Sequence, residues 1–151
     1  MNRRTYLGLV AGSGLVAGSG ITASASYLRR GRASGIEAEF ELVDAELAVE
    51  DPPSVTVDGE TVTVRGTVQY GSSSCGTVRL AHSGYEPSQY RLDLLVVAAD
   101  DSSGLGGCTD DLVSTGYEVT VTVDEELRRI ATTEHHLFGE TYSTTADLTD
   151  W

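Results

Sequence analysis

Valine and threonine alternate along much of this chain, and an alternation of period two is the pattern of a strand with one buried face. The clearest stretch is Tyr117-Glu118-Val119-Thr120-Val121-Thr122-Val123, where Tyr117, Val119, Val121 and Val123 point to one side. A second stretch, Ser54 to Val64, is broken only by Asp58-Gly59, which reads as a two-residue type I′ turn placing Val55 opposite Val62. The second arm of that hairpin runs on through Val68 to Tyr70. Phe40 to Val49 is a further partly alternating run, ended by Pro52-Pro53 because proline cannot donate to a ladder. Cys75 to Ser83 and Tyr90 to Ala99 form another strand pair around Glu86-Pro87-Ser88, and the near-continuous Leu92 to Ala99 reads as a central strand. Ile130 to Phe138 is the last expected strand. Asp124 to Arg129 is the one place with room for a helical turn.

Strands at this spacing and no long helix predict an all-β chain: a small immunoglobulin-like β-sandwich of about seven strands over residues 37–138. Residues 26–36 read as a linker and residues 139–151 as a weakly ordered C-terminal tail onto which Trp151 could dock. Hydrophobic residues make up 40% of the 151, enough to fill one core.

Charge divides the chain in two. Arg3, Arg4, Arg29, Arg30 and Arg32 make residues 1–32 net +5 with no acid, whereas the remaining five arginines and all 23 acids leave residues 33–151 at −18. Asn2-Arg3-Arg4-Thr5-Tyr6-Leu7 followed by a weakly apolar, glycine-rich run resembles a twin-arginine export signal, and Ala23-Ser24-Ala25 suits cleavage before Ser26. The alternative for residues 1–25 is an uncleaved anchor, which would be the protein's only membrane contact. A domain at −18 disfavours nucleic acid as a partner. It also repels itself unless salt screens it, and the chain contains no lysine, so the composition is that of a protein adapted to brine.

Cys75 and Cys108 are the only cysteines. In an exported protein an even count favours a disulfide. It would close a loop of about 34 residues and contribute roughly 3.8 kcal/mol in the chain-entropy model. A redox pair or two metal ligands are the alternatives, but there is no Cys-x-x-Cys and no cationic setting beside Cys75 that would lower a thiol pKa.

Candidate metal ligands fall into two sets. His82, His135 and His136 supply imidazoles suited to zinc or copper. Neighbouring strand residues face opposite ways, so His135 and His136 cannot share an ion, and either would need His82 on an adjacent strand. Otherwise one is exposed and one partly buried without a ligand. Asp100, Asp101, Asp110 and Asp111 flank the loop before Cys108 and could converge on calcium. Catalytic motifs are missing: no Gly-x-Ser-x-Gly, no P-loop and no His-Glu-x-x-His. No helix follows the glycine-rich Ser102 to Gly107, so it does not read as a phosphate loop. No cofactor is implied.

Four segments, Cys75-Gly-Thr-Val-Arg-Leu-Ala-His, Tyr90-Arg-Leu-Asp-Leu-Leu-Val-Val, Cys108-Thr-Asp-Asp-Leu-Val and Tyr117-Glu-Val-Thr-Val-Thr-Val, resemble a group of exported proteins of halophilic archaea. The resemblance covers roughly residues 62–138 and implies a small secreted or surface β domain with a disulfide and no known activity. Arg128-Arg129 departs from the glycine-rich turn of that group. The expected object is therefore a non-catalytic cell-surface module that binds a protein or envelope partner, with a metal-binding surface protein as the alternative. Circular dichroism tests the salt requirement: the domain should lose structure on dialysis into dilute buffer, and a full spectrum retained at about 50 mM salt would sink it.

Overall fold

A computed structural model of the chain describes residues 31–33, 35–100 and 107–148. Among them are nine strands and no helix: β1 (Gly31–Ala33), β2 (Ile36–Val43), β3 (Ser54–Asp58), β4 (Thr61–Tyr70), β5 (Gly76–Glu86), β6 (Arg91–Asp100), β7 (Val113–Val123), β8 (Arg129–His135) and β9 (Thr141–Asp147). They form two sheets, β1-β2-β7-β4-β3 and β5-β6-β8-β9, packed face to face as the alternation requires.

Inward positions recur at every second residue. The first sheet contributes Ile36, Ala38 and Phe40 from β2, Val57 from β3, Val62, Val64 and Val68 from β4, and Tyr117, Val119, Val121 and Val123 from β7. The second contributes Val78 and Leu80 from β5, Leu92, Leu94 and Val96 from β6, and Ile130 from β8. As its run of apolar residues implied, β6 is central, hydrogen-bonded to β5 on one side and β8 on the other.

The chain changes sheet three times in its second half. It leaves the first sheet after β4, makes the β5/β6 hairpin in the second, returns as β7, and comes back as β8. Because β7 lies between them in the chain, β6 and β8 pair in parallel, with Leu92 opposite Ile130 and Val96 opposite Glu134. Every other pair is antiparallel.

Several boundaries differ from those expected. The β3/β4 turn is Gly59-Glu60, so Val55 faces Val64 and Val57 faces Val62. Of these turn residues only Gly59 has a positive φ, +64°, which suits a type II′ turn with glycine first rather than type I′. The turn moves by one residue and the pairing by two, so the inward faces are unchanged. β2 begins at Ile36 and stops at Val43; the expected strand over Phe40 to Val49 is cut short. Gly31–Ala33, expected within a linker, pairs with Ala38 to Ile36. Asp124 to Arg128 is an irregular crossover with a bend at Glu125 and no helical turn, held by the Tyr85 hydroxyl on the Glu126 carbonyl and the Arg128 N–H on the Tyr90 carbonyl.

The largest correction concerns the C-terminal segment. Residues 141–147, expected in a tail, form β9 along the edge of β8. Its Thr-Tyr-Ser-Thr-Thr-Ala-Asp sequence lacks an apolar alternation because one face meets solvent and the other is only half buried. The strand is fixed instead by polar contacts: Thr133 Oγ1 to Ser143 Oγ at 3.0 Å, Thr144 Oγ1 to the Pro53 carbonyl at 2.6 Å, and Arg129 to Asp147 at 2.7 Å. Leu148, 3% exposed, anchors its end. Trp151 lies outside the described residues. Truncation after Glu140 should therefore expose the β8 edge and abolish cooperative unfolding in native salt; an unchanged denaturation midpoint would refute this role of β9.

Candidate functional site

Among the described residues a glutamate, a histidine and a tyrosine come together inside the sandwich. On β8, Ile130, Thr132 and Glu134 alternate inward, and His136 follows two residues on. Glu134 is 0% exposed and His136 4%. Tyr117 reaches Glu134 from β7 in the opposite sheet, its hydroxyl donating to Oε2 at 2.7 Å. The other oxygen, Oε1, lies 3.2 Å from His136 Nε2. The tautomer follows from a third contact: the Gln69 backbone N–H donates to His136 Nδ1 at 3.3 Å. A backbone N–H can only donate, so Nδ1 is the acceptor and the ring proton sits on Nε2, facing the carboxylate. The His136 ring also packs edge-on against Tyr142 of β9, 5.0 Å between centroids.

Space for this contact exists because residue 66 of β4 is glycine. Gly66 pairs with Tyr117 across the sheet, and a Cβ there would lie 1.9 Å from Glu134 Oε2 and 2.6 Å from the Tyr117 hydroxyl oxygen. Burial raises the Glu134 carboxyl above its ordinary 4.5, while the Tyr117 and His136 hydrogen bonds oppose that rise. Burial, reinforced by the neighbouring carboxylate, pushes the Tyr117 hydroxyl far above its ordinary value. The network is thus a buried carboxyl group with a hydrogen-bond partner for each of its oxygens. Its chemistry is to tie β4, β7 and β8 together across the two sheets.

Directly beyond Gln69 the chain crosses between sheets. Residues 71–75 lead from β4 to β5, and 107–112 complete the return from β6 to β7. The Cys75–Cys108 disulfide joins these two crossovers, with Cα atoms 5.6 Å apart. A polar clasp runs beside it. The Ser73 N–H and the Thr109 hydroxyl both donate to Asp111 Oδ1, at 2.9 and 2.6 Å, and the Thr109 N–H donates to Ser74 Oγ at 3.0 Å. These hydrogen bonds hold the Asp111 carboxyl down at about 2.

Among the described residues the candidate metal ligands do not converge. His82 lies on β5 and His135 on β8, with β6 between them, so the adjacent strands that a shared ion needs are not there. His135 is exposed and His136 buried, on opposite faces of one strand, and His136 spends both ring nitrogens on Glu134 and Gln69. Asp100 ends β6, Asp110 and Asp111 are exposed, and Asp111 is engaged in the clasp. Asp101 lies outside the described residues, as do the signal candidates Arg3 and Arg4. Among the described residues no group of three or more His, Cys, Asp or Glu side chains is placed to hold a metal ion.

Sequence reasoning singled out His136 as a candidate ligand but missed Tyr117 as a member of its network and Gly66 as the residue that makes room for it. The available signal was a charged residue at an inward position of an otherwise apolar alternation, which a buried strand tolerates only with partners. No protein-family model matches the chain, and neither a curated protein nor a solved structure matches it.

Tyr117→Phe leaves Glu134 Oε2 without its donor and should lower stability by about 1–3 kcal/mol, and Gly66→Ala should cost at least as much by overpacking; chemical denaturation of either variant at the wild-type midpoint would refute the network. The pH effects of the two carboxyls have opposite signs. The raised Glu134 contributes stability that is complete below 4.5 and is lost as pH rises through its folded value. The lowered Asp111 contributes stability present above 3.8 and lost as pH falls through about 2. Asp111→Asn should accordingly flatten the acid limb of the stability curve between those two values, and carboxyl titration by NMR should place the Asp111 midpoint at its lower end.

Proposed function

We propose that this chain is an exported, salt-adapted β-sandwich module of the cell surface that acts by binding a protein or envelope partner rather than by catalysis. The observation that carries this reading is the Cys75–Cys108 disulfide, since such bonds persist in oxidising, non-cytoplasmic surroundings. The paired arginines Arg3 and Arg4, followed by a weakly apolar run, favour the twin-arginine route for delivery.

Salt adaptation draws support from the outer face of the first sheet. Glu41 and Glu118 stand directly opposite each other on β2 and β7. Burial raises the Glu41 carboxyl, and Glu118 and Glu39 add to the rise. Arg65 answers Glu118 at 2.7 Å, but like charges in register are destabilising where salt does not screen them.

The non-catalytic part of the reading rests on the closure of the Tyr117–Glu134–His136 network, which no substrate can touch. Binding rather than mere bulk is favoured by the exposed apolar side chains of Leu112, Leu137 and Phe138, the last 71% exposed, on a domain that covers its other large apolar groups among the described residues.

The decisive experiment is fractionation of cells expressing the full chain, with thiol labelling. Wild type should appear outside the membrane with no free thiol, and the Arg3→Lys/Arg4→Lys variant should stay inside with both thiols free. A wild-type protein found in the cytoplasm with titratable Cys75 and Cys108 would overturn the proposal.

A further inference from the structure

The two crossovers that carry the cysteines are held together twice, once by sulfur and once without it. We propose that the Ser73-Ser74/Thr109-Asp111 clasp aligns Cys75 and Cys108 in a domain that has already folded, so that the disulfide is added to a finished sandwich as its last covalent step. The proposal concerns the chain before oxidation and holds wherever the protein is delivered.

Three observations on the described residues carry it. First, the strands flanking both crossovers are registered by backbone ladders that need no sulfur. Tyr70 pairs with Val113 at the end of the β4/β7 ladder, and Gly76 pairs with Asp100 at the end of β5/β6. The residue before each crossover and the residue after it are therefore placed by the sheets alone.

Second, the turn bearing Cys75 closes on itself. The Cys75 and Gly76 N–H groups donate to the Ser72 carbonyl at 3.3 and 2.7 Å, and the Cys75 N–H also reaches Ser72 Oγ at 3.2 Å. Third, the clasp joins this turn to residues 109–111 through atoms other than sulfur. Ser73 N–H and Thr109 Oγ1 donate to one Asp111 oxygen, while Thr109 N–H and Ser74 Oγ, and Ser74 N–H and Thr109 Oγ1, bond reciprocally at 3.0 and 3.3 Å. Hydrogen bonds to a charged acceptor are the stronger kind, and Asp111 stays ionised down to about 2. Beneath this end, the Tyr117–Glu134–His136 network closes the sheets on each other without reference to either cysteine.

The chemistry is ordinary exchange with a disulfide oxidant such as oxidised glutathione. One cysteine thiolate, having lost its proton to solvent, attacks the oxidant's S–S bond and expels one reduced thiol. The second cysteine then attacks the mixed disulfide, forms the Cys75–Cys108 bond and expels the other, so two protein thiols are oxidised and one oxidant disulfide is reduced to two thiols. The clasp acts on the second, intramolecular attack, whose rate depends on how often the two sulfurs meet.

The test uses the full chain in concentrated salt. Reduced wild type and Cys75→Ala/Cys108→Ala should keep the β circular dichroism of the oxidised protein and unfold cooperatively at a lower midpoint. The effective concentration of the thiol pair, measured against glutathione, should fall about tenfold in Asp111→Ala or Thr109→Val. The rate of mixed-disulfide formation at the first thiol should stay at the wild-type value. Reduced wild type without β structure would overturn the proposal, and so would clasp variants whose effective concentration equals that of wild type.

Discussion

Glu134 sets the terms for the middle of this molecule. A carboxylate at an inward position of a buried strand is expensive unless its oxygens are satisfied, and the partners come from different places: Tyr117 from β7 and His136 from just beyond the end of β8. His136 in turn needs the Gln69 N–H of β4, and the Tyr117–Glu134 pair needs Gly66 of the same strand. Sliding any of these strands by one residue would leave a buried polar group without a partner. The network thus fixes registers that an all-valine core would leave degenerate, since one valine fills the place of another.

One end of the sandwich carries the crossovers that hold the cysteines. Three changes of sheet between β4 and β8 oblige the chain to pass over the ends of the core. Such connections are its weakest part, because they lack ladder hydrogen bonds of their own. The disulfide and the Asp111 clasp bind two of these connections to each other, and Leu137 N–H to the Gln69 carbonyl ties in the chain after β8. Structure that in a larger protein would come from a deeper core comes in this one from local polar contacts and one covalent bond.

The faces of β4 and β7 were legible residue by residue. Val62 and Val64, and Tyr117, Val119, Val121 and Val123, are buried where their alternation puts them, while for β6 the apolar run gave the central place of the strand and not its faces. β9 was illegible because a half-exposed edge strand of threonine and serine carries no hydrophobic period, and it owes its place to β8. The histidines show the same limit. His135 and His136 were separable from spacing alone, but the partners of His136 stand 67 and 2 residues away in the chain, at Gln69 and Glu134. His82 could be excluded as a co-ligand only once β6 was found between β5 and β8.

What the residues settle without help is local: where an alternating apolar run makes a strand, and which of its sides faces the core. Side-chain alternation is a property of the extended backbone itself, so a period of two can be read off any short window. Strand order, the parallel β6/β8 pair, the Tyr117–Glu134 bond and the approach of Thr109 to Ser74 depend on residues 17 to 35 or more apart in the chain. No local preference encodes those meetings; they arise when both sheets close on one core and the buried Glu134 and His136 must find partners.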